Sequence, residues 1–337
     1  MCRSSKLSAL FALLLIVALT ACGPTAAPVP PTPTSMPPAA TNPPPLADTP
    51  IPTPRPAYQQ LPMPKPNIAG MFDVGGHKMY LECYGEGSPT IVLEQDWGVG
   101  LSDRVWSNVI PNLAAETRVC AYDRLNAGAS DSIGAHTFAQ AADEWHALMQ
   151  TAKLEPPYIV VGNLFGGFFA LTHASRYPAE VVGVALVDSN HFDFCAKALA
   201  VLPTPSPDDV QPLKDLREGC TRQMIIAGGG VNLAEGIDLA NEGQQQIRAI
   251  KSLGSVPLVV LVEAPSSKNF GASWAGIPPD VAAKLDQVWL DAQKEYAALS
   301  SDSQLMIADH AAGFIQNDEP ELVVNAVLGL VDKARKK

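Results

Sequence analysis

Short apolar runs alternate with segments of helical periodicity from residue 67 onward, whereas residues 190–254 carry no strand signal. Apolar runs bounded by turn residues are typical of buried strands, and apolar residues spaced three or four apart are typical of helices. The predicted strands are Met71–Val74, Lys78–Cys83, Thr90–Gln95, Arg118–Tyr122, Tyr158–Gly162, Val181–Asp188, Pro257–Glu263 and Gln304–Ala308. The predicted helices are Ser102–Ala115, Phe138–Lys153, Gly167–Tyr177, Pro279–Ser300 and Pro320–Lys333. This alternation predicts an α/β fold with a mostly parallel, eight-stranded sheet and helices on both faces.

The first residues have the pattern of an export signal. Arg3 and Lys6 precede an apolar stretch from Leu7 to Leu19, which is shorter than the roughly 20 residues that span a bilayer. The stretch ends in Leu-Thr-Ala-Cys, which resembles a bacterial lipobox and implies that Cys22 is lipidated. We therefore predict a lipoprotein signal peptide at residues 1–21 and an exported protein, anchored by lipid in the cell membrane and facing outside the cytoplasm. An ordinary signal peptide cleaved nearby is the alternative.

Composition separates a tether from a domain. Residues 23–66 hold 17 of the 31 prolines, so residues 22–66 are predicted to be a lipidated, disordered spacer that favours extended polyproline II. Residues 67–337 remain for one large α/β domain. The formal charge of −11 argues against nucleic acid as a partner.

Four cysteines belong to the predicted domain: Cys83, Cys120, Cys195 and Cys220. An even number of cysteines in an exported protein favours disulfides, and four cysteines allow three pairings. Four buried free thiols are the alternative, because cysteine is also a small core residue. No Cys-x-x-Cys spacing occurs, and we expect neither a metal nor a cofactor.

The most informative position is Leu164. Residues 158–167 read Tyr-Ile-Val-Val-Gly-Asn-Leu-Phe-Gly-Gly, an apolar run followed by Gly-x-x-x-Gly and a helical segment. In the nucleophile elbow Gly-x-Ser-x-Gly the central residue is the serine that attacks the substrate. Gly162 and Gly166 keep this frame, but a leucine side chain cannot form a covalent intermediate.

Four stretches together resemble the α/β-hydrolase family across nearly all of residues 67–337. The matching stretches are Pro-Thr-Ile-Val-Leu-Glu at 89–94, Tyr-Asp-Arg-Leu-Asn-Ala-Gly-Ala-Ser-Asp at 122–131, the elbow, and Phe-Ile-Gln-Asn-Asp-Glu-Pro at 314–320. The second has Asn126 where glycine is usual. The resemblance implies an α/β-hydrolase fold with a helical cap at about 190–254. It also implies a nucleophile, a histidine base, an orienting acid and an oxyanion hole.

Three of the implied catalytic positions hold unsuitable residues. Leu164 replaces the nucleophile, Gly313 occupies the expected histidine position, and Asp96 stands in the oxyanion loop where glycine is usual. A carboxylate there would repel a developing oxyanion. Asp188 and Glu263 end strands where the family's acid lies. His310, three residues before Gly313, is a possible substitute base or simply a polar residue at a strand end.

These departures predict a protein that binds rather than cleaves. The expected pocket lies under the cap with Leu164 in its floor, and its predicted lining is Asp96, Trp97, Asn163, Phe165 and His191. The ligand is expected to be a small apolar or ester-like molecule, or a protein. An active esterase-like hydrolase with non-standard catalytic residues, a collapsed pocket and a purely structural envelope role are the alternatives.

The resemblance also favours one disulfide pairing. The family's second and fourth strands are neighbours, which would bring Cys83 beside Cys120. Cys195 and Cys220 both fall in the cap and would then pair with each other.

Overall fold

The computed structural model describes residues 58–229, 231–232, 235–239, 242–265, 274–311 and 314–336. The predicted signal peptide, Cys22, most of the tether and Gly313 lie outside the described residues. Within the described ranges, no helix is both long enough and apolar enough to cross a membrane.

An eight-stranded sheet runs through the domain. Its strands are β1 Ile68–Asp73, β2 Lys78–Tyr84, β3 Thr90–Glu94, β4 Val119–Tyr122, β5 Tyr158–Asn163, β6 Val181–Val187, β9 Leu258–Glu263 and β10 Ser303–Ala308. They lie in the sheet in the order β1-β2-β4-β3-β5-β6-β9-β10. Only β2 runs against its neighbours β1 and β4, and the other pairs are parallel. Every residue of β3, β4, β5 and β9 is buried, which explains why these strands read as continuous apolar runs.

Helices cover both faces of the sheet, as predicted. They are α1 Ile110–Ala114, α2 Phe138–Thr151, α3 Gly166–Arg176, α4 Phe194–Val201, α5 Gln211–Gly229, α6 Glu242–Ala249, α7 Pro279–Ala297, α8 Ile315–Asp318 and α9 Pro320–Arg335. One core layer joins the sheet to α2 and α3 around Phe138, Trp145 and Phe169. The opposite layer joins it to α1 and α9 around Trp106 and Val327.

Three segments differ from the sequence prediction. The helix predicted over Ser102–Ala115 is instead a 3₁₀ turn at Leu101–Asp103 and the short α1, because Arg104 adopts a left-handed φ of 55° between them. Residues 190–254 contain a two-stranded ribbon, β7 Val231–Asn232 and β8 Ile237–Asp238. Two-residue strands are too short to leave a periodic pattern. The turn α8 was not predicted.

The cap has a hydrophobic core of its own. Cys195 and Ala198 of α4 pack with Leu213 and Cys220 of α5 against the first half of α7, where Leu285 is fully buried. The predicted pairing is confirmed: Cys195 bonds Cys220 across α4 and α5. Helix α7 therefore fastens the cap to the main domain.

The other predicted disulfide is confirmed within the sheet. Cys83 and Cys120 lie directly opposite each other on the antiparallel strands β2 and β4, with their Cα atoms 4.0 Å apart. Both cysteines are fully buried in the layer beneath α2 and α3.

Candidate functional site

Residues 162–166 have the backbone geometry of a nucleophile elbow, with leucine at its central position. Leu164 follows β5 and has a φ of 47°, in the left-handed region that is uncommon for non-glycine residues. Its N–H donates to the Val187 carbonyl at 3.2 Å, and its own carbonyl accepts from the Gly167 N–H at 3.2 Å. The turn thus presents the Leu164 side chain at the carboxyl end of the sheet, where a nucleophile elbow presents its serine.

Close packing explains the glycines around Leu164. A Cβ atom at Gly162 would lie 2.5 Å from the Gly166 carbonyl oxygen, and one at Gly166 would lie 2.5 Å from the Glu94 carbonyl oxygen. A Cβ at Gly167 would meet the Ser189 hydroxyl at 2.3 Å. The glycine frame is therefore required where β5 and α3 meet, whether or not the turn carries a catalytic group.

The oxyanion-hole donor is occupied by the protein's own carboxylate. In an elbow, the N–H of the residue after the nucleophile stabilises the oxyanion. Here that N–H belongs to Phe165, and it donates to Asp96 Oδ1 at 3.1 Å. Burial raises the pKa of Asp96, while the backbone N–H groups of Trp97 and Phe165 oppose that shift. Asp96 therefore takes the place that a substrate oxygen would need.

Two acid candidates meet at the edge of the sheet, because they end the neighbouring parallel strands β6 and β9. Asp188 Oδ1 accepts from the Glu263 backbone N–H at 3.3 Å and from the Trp289 indole at 3.0 Å. Burial and the adjacent Glu263 charge raise the pKa of Asp188 to about 8. Asp188 is thus a neutral acid at neutral pH, and within the described part of the chain its hydrogen-bond donors are a backbone N–H and an indole rather than a histidine.

The histidine candidates are separated from the elbow chemistry. His310 is exposed, and its backbone N–H donates to Glu319 at 2.5 Å. Gly313 falls outside the described residues. His191 lines the cavity, but its Nδ1 accepts from the Asp193 N–H at 3.2 Å and its Nε2 lies 3.2 Å from Glu295 Oε2. Burial lowers the pKa of His191, so its ring is neutral and held against the cap.

A cavity of about 470 Å³ lies beneath the cap. Leu164 lines it together with Asp188, His191 and Glu263, so the predicted nucleophile position, both acid candidates and one predicted pocket residue meet at one cavity. The remaining described lining comes from the cap, from the segment before α7, from α7 itself and from the residue before α8: Asn190, Phe194, Cys195, Leu216, Gly219, Cys220, Trp274, Trp289 and Phe314.

The other predicted pocket residues point elsewhere. Phe165 is buried in an aromatic cluster with Phe138 and Phe168, at ring distances of 5.8 Å and 5.1 Å. Trp97 packs on Phe165 and is 38% exposed. Asn163 is fully buried and donates to the Val187 carbonyl. Together with Asp96, these side chains support the elbow from outside the cavity lining.

A buried ion network ties the oxyanion loop to the cap. Arg124 contacts Glu235 through two hydrogen bonds of 2.7 Å and Glu94 through one of 3.1 Å. Its guanidinium also donates to the Asp96 carbonyl, and Glu235 accepts from the Gly98 N–H. All three charged residues are at most 4% exposed. This network fixes the loop that carries Asp96.

Sequence reasoning missed Trp289 and the Arg124 network. Trp289 continues the stripe of Val281 and Leu285 at four-residue intervals on α7, so its position on the face of that helix that packs with the cap was readable. Glu235 gave no local signal because its partner Arg124 is distant in the chain. Among the described residues, no group of three or more His, Cys, Asp or Glu side chains could hold a metal.

The sheet order, the elbow and the cap define a protein with the α/β-hydrolase fold. The family model for the alpha/beta hydrolase fold matches residues 98–214, which include the elbow and the first cap helix. The predicted fold class is therefore confirmed, and the resemblance to the family is supported over these residues.

Individual relatives are distant. The uncharacterized protein YqjL of Bacillus subtilis is 24% identical over 244 residues, which cover 72% of this chain and 83% of that protein. The pimeloyl-acyl-carrier-protein methyl ester esterase of Sodalis glossinidius is 31% identical over 118 residues, 35% of this chain and 43% of the esterase.

Solved structures show the same fold. A thermophilic esterase from Thermogutta terrifontis has a TM-score of 0.52 and 18% identity, covering 79% of this chain and 98% of the esterase. A probable hydrolytic enzyme from Pseudomonas aeruginosa has a TM-score of 0.52 and 21% identity, covering 79% of this chain and 94% of that enzyme. At this identity the likeness concerns the fold alone.

Proposed function

We propose that this protein is a non-catalytic α/β-hydrolase-fold lipoprotein, tethered to the membrane through Cys22, that binds a small and largely apolar ligand beneath its cap. The observation that carries the proposal is the state of the elbow. Its side chain is Leu164, and its Phe165 N–H is already bonded to Asp96. A serine hydrolase needs both a nucleophile and a free oxyanion donor at these two positions.

The described cavity supports a binding role. It retains about 470 Å³ of space beneath the cap, and its lining is mostly apolar with a few polar groups that converge near Leu164. Concave apolar sites with few polar groups are typical of small-molecule binding. The confirmed bridge between α4 and α5 holds the roof of this cavity together.

An assay of the full chain tests the absence of catalysis. We expect p-nitrophenyl esters to be hydrolysed no faster than in buffer, and a fluorophosphonate to leave every residue unlabelled. A purified serine esterase assayed in parallel provides the positive control. Stoichiometric labelling, or ester turnover that persists through purification and chelation, would contradict the proposal.

A second candidate function is hydrolysis by non-standard groups. The observation that favours it is the carboxyl pair in the cavity, because Asp188 holds a proton at neutral pH beside Glu263. A carboxylic acid beside a carboxylate is a general acid and base pair in several enzymes. This candidate predicts ester turnover that Asp188→Asn abolishes, whereas the first candidate predicts no turnover in either protein.

Membrane attachment is tested separately. Cys22→Ser should release the protein into the soluble fraction or leave the signal uncleaved. The chain should then lack the mass of its acyl groups. More than one acyl chain is needed for stable anchoring, so partial lipidation should give partial release. An unchanged mass and unchanged membrane fractionation would refute the anchor.

A further inference from the structure

A second cavity lies against strand β2, on the face of the sheet that α1 covers. It has a volume of about 880 Å³ and shares none of its described lining residues with the cavity beneath the cap. Tyr80, Glu82 and Tyr84 alternate along β2, so all three side chains point to this face and line the cavity. Residues 63–66, just before β1, and Trp106, just before α1, also line it. A volume of this size suits a small-molecule ligand.

The charges of this second cavity are of both signs. Glu82 and Asp123 are the acids of its described lining, and Lys65 and Arg104 are its cations. A purely anionic ligand would be repelled by the two carboxylates, and a purely cationic ligand by the two bases. The lining therefore favours a ligand that is polar and carries no net charge.

Glu82 is an acceptor with capacity left for a ligand. The Tyr80 hydroxyl donates to Glu82 Oε1 at 2.8 Å, and the Tyr84 hydroxyl donates to Glu82 Oε2. Burial, followed by this hydrogen bond, raises the pKa of Tyr84, so its hydroxyl keeps the proton that it donates. Each carboxylate oxygen has two acceptor positions, and Glu82 is only half-buried. A donor from a bound molecule can therefore reach it.

Donors stand beside these acceptors. Trp106 is 2% exposed, and its indole N–H has no hydrogen-bond partner among the described residues, although buried polar groups are normally bonded. Arg104 is exposed and holds a left-handed φ of 55°, which is uncommon for a residue other than glycine. Such backbone conformations cluster at ligand sites. The cavity thus offers donors and acceptors together.

We propose that this second cavity binds an uncharged saccharide, whose hydroxyl groups donate to Glu82 and accept from Arg104. A hydroxyl group is both a donor and an acceptor, so one ligand can satisfy both kinds of side chain. A ligand oxygen is also the acceptor that the Trp106 N–H lacks. The apolar face of a sugar ring would pack on the half-buried ring of Tyr80. This site is separate from the cap cavity and does not depend on the function proposed for it.

The test compares neutral and charged trisaccharides by isothermal titration calorimetry of the purified full chain. The neutral probes are cellotriose, maltotriose and triacetylchitotriose, and the charged probes are the trimers of galacturonate and of glucosamine. We expect at least one neutral probe to bind at least about tenfold more tightly than both charged trimers, which would bring several like charges into a partly desolvated site. A polyoxyethylene detergent keeps the lipidated protein in solution without adding either charge or sugar.

Variants locate the binding site. Tyr80→Ala should weaken the neutral trisaccharide about three- to tenfold by removing the ring, whereas Tyr80→Phe should weaken it less than about threefold. Glu82→Gln should weaken it about tenfold, because a charged acceptor is lost. Glu321→Gln, at an exposed carboxyl on α9, is the control and should leave the affinity unchanged. Circular dichroism verifies that each variant is folded.

Four results would overturn the proposal. The first is that no neutral trisaccharide binds at millimolar concentration, and the second is that a charged trimer binds more tightly than all of them. The third is that folded Tyr80→Ala and Glu82→Gln proteins keep the parent affinity, which would place the sugar elsewhere. The fourth is that hexaproline binds and the sugars do not, which would make the cavity a peptide groove.

Discussion

Asp188→Asn is expected to stabilise the protein, and to do so more strongly at higher pH. Asp188 is buried, and its pKa rises from 3.8 to about 8 because of that burial and the charge of Glu263. The unfolded chain releases the Asp188 proton near pH 4, whereas the folded protein keeps it until about pH 8. Since the unfolded state binds fewer protons in this window, the free energy of unfolding falls as pH rises through it.

The size of the effect follows from the shift. At about 1.4 kcal/mol per pKa unit, such a shift disfavours the folded state by about 4 kcal/mol at pH 7 and by less than about 1 kcal/mol at pH 4. An asparagine amide carries no charge, and its oxygen can still accept from Trp289 and from the Glu263 N–H. Because Glu263 stays buried, we expect the variant to gain about 2–4 kcal/mol at pH 8.

Urea denaturation of the full chain at pH 4.5, 6 and 8 measures this dependence, with the disulfides kept intact. Asp208→Asn, an exposed cap position, serves as the control and should change stability by less than about 0.5 kcal/mol at each pH. A gain that is equal at all three pH values, or a variant less stable than the parent at pH 8, would show that Asp188 does not carry a proton in the folded protein.

Three further changes test other parts of the structure. Leu164→Ser should gain no esterase activity or fluorophosphonate labelling, because Asp96 still occupies the Phe165 N–H; rapid labelling would contradict this. Replacing Cys83 and Cys120 by alanine should lower the free energy of unfolding by about 3–4 kcal/mol for their 37-residue separation, and an unchanged urea midpoint would count against the bridge. Arg124→Met should cost about 3–5 kcal/mol by leaving the buried Glu235 carboxylate without its cationic partner, measured by thermal and urea denaturation; a loss below 1 kcal/mol would mean that the network is hydrated.

The strands were predictable because burial alone decides them. Every residue of Thr90–Glu94 is buried, and a short apolar run of this length is typical of a strand in a sheet covered on both faces. The helix over Ser102–Ala115 failed for a local reason. Val105, Trp106 and Val109 have helical spacing, but the left-handed Arg104 separates the first turn from α1. Periodicity records which side chains are buried and carries no direct information on φ.

The pocket was harder to predict than the fold. Leu164 and Phe165 are adjacent in the chain, yet the turn sends Leu164 to the cavity and Phe165 into the core beside Phe138. The prediction that Phe165 lines the cavity was therefore wrong, because it relied on the position of Phe165 next to Leu164 in the sequence. Part of the cavity wall comes from Trp274 and Trp289, which lie more than 100 residues after Leu164 in the sequence. The packing of α7 on the cap brings Trp289 to the cavity that Leu164 lines.

The backbone and the side chain of the turn at Leu164 are under different structural constraints. Its glycines hold β5 against α3, so the backbone there is under constraint from every neighbour that a larger residue would strike. The Leu164 side chain lines the cavity, so the contacts that require the glycines do not determine which residue stands at position 164. A reactive side chain at position 164 can consequently be replaced without loss of the turn, because close packing of the strand and the helix requires the turn in either case. The elbow turn therefore indicates the fold, whereas the activity depends on the side chains around the cavity.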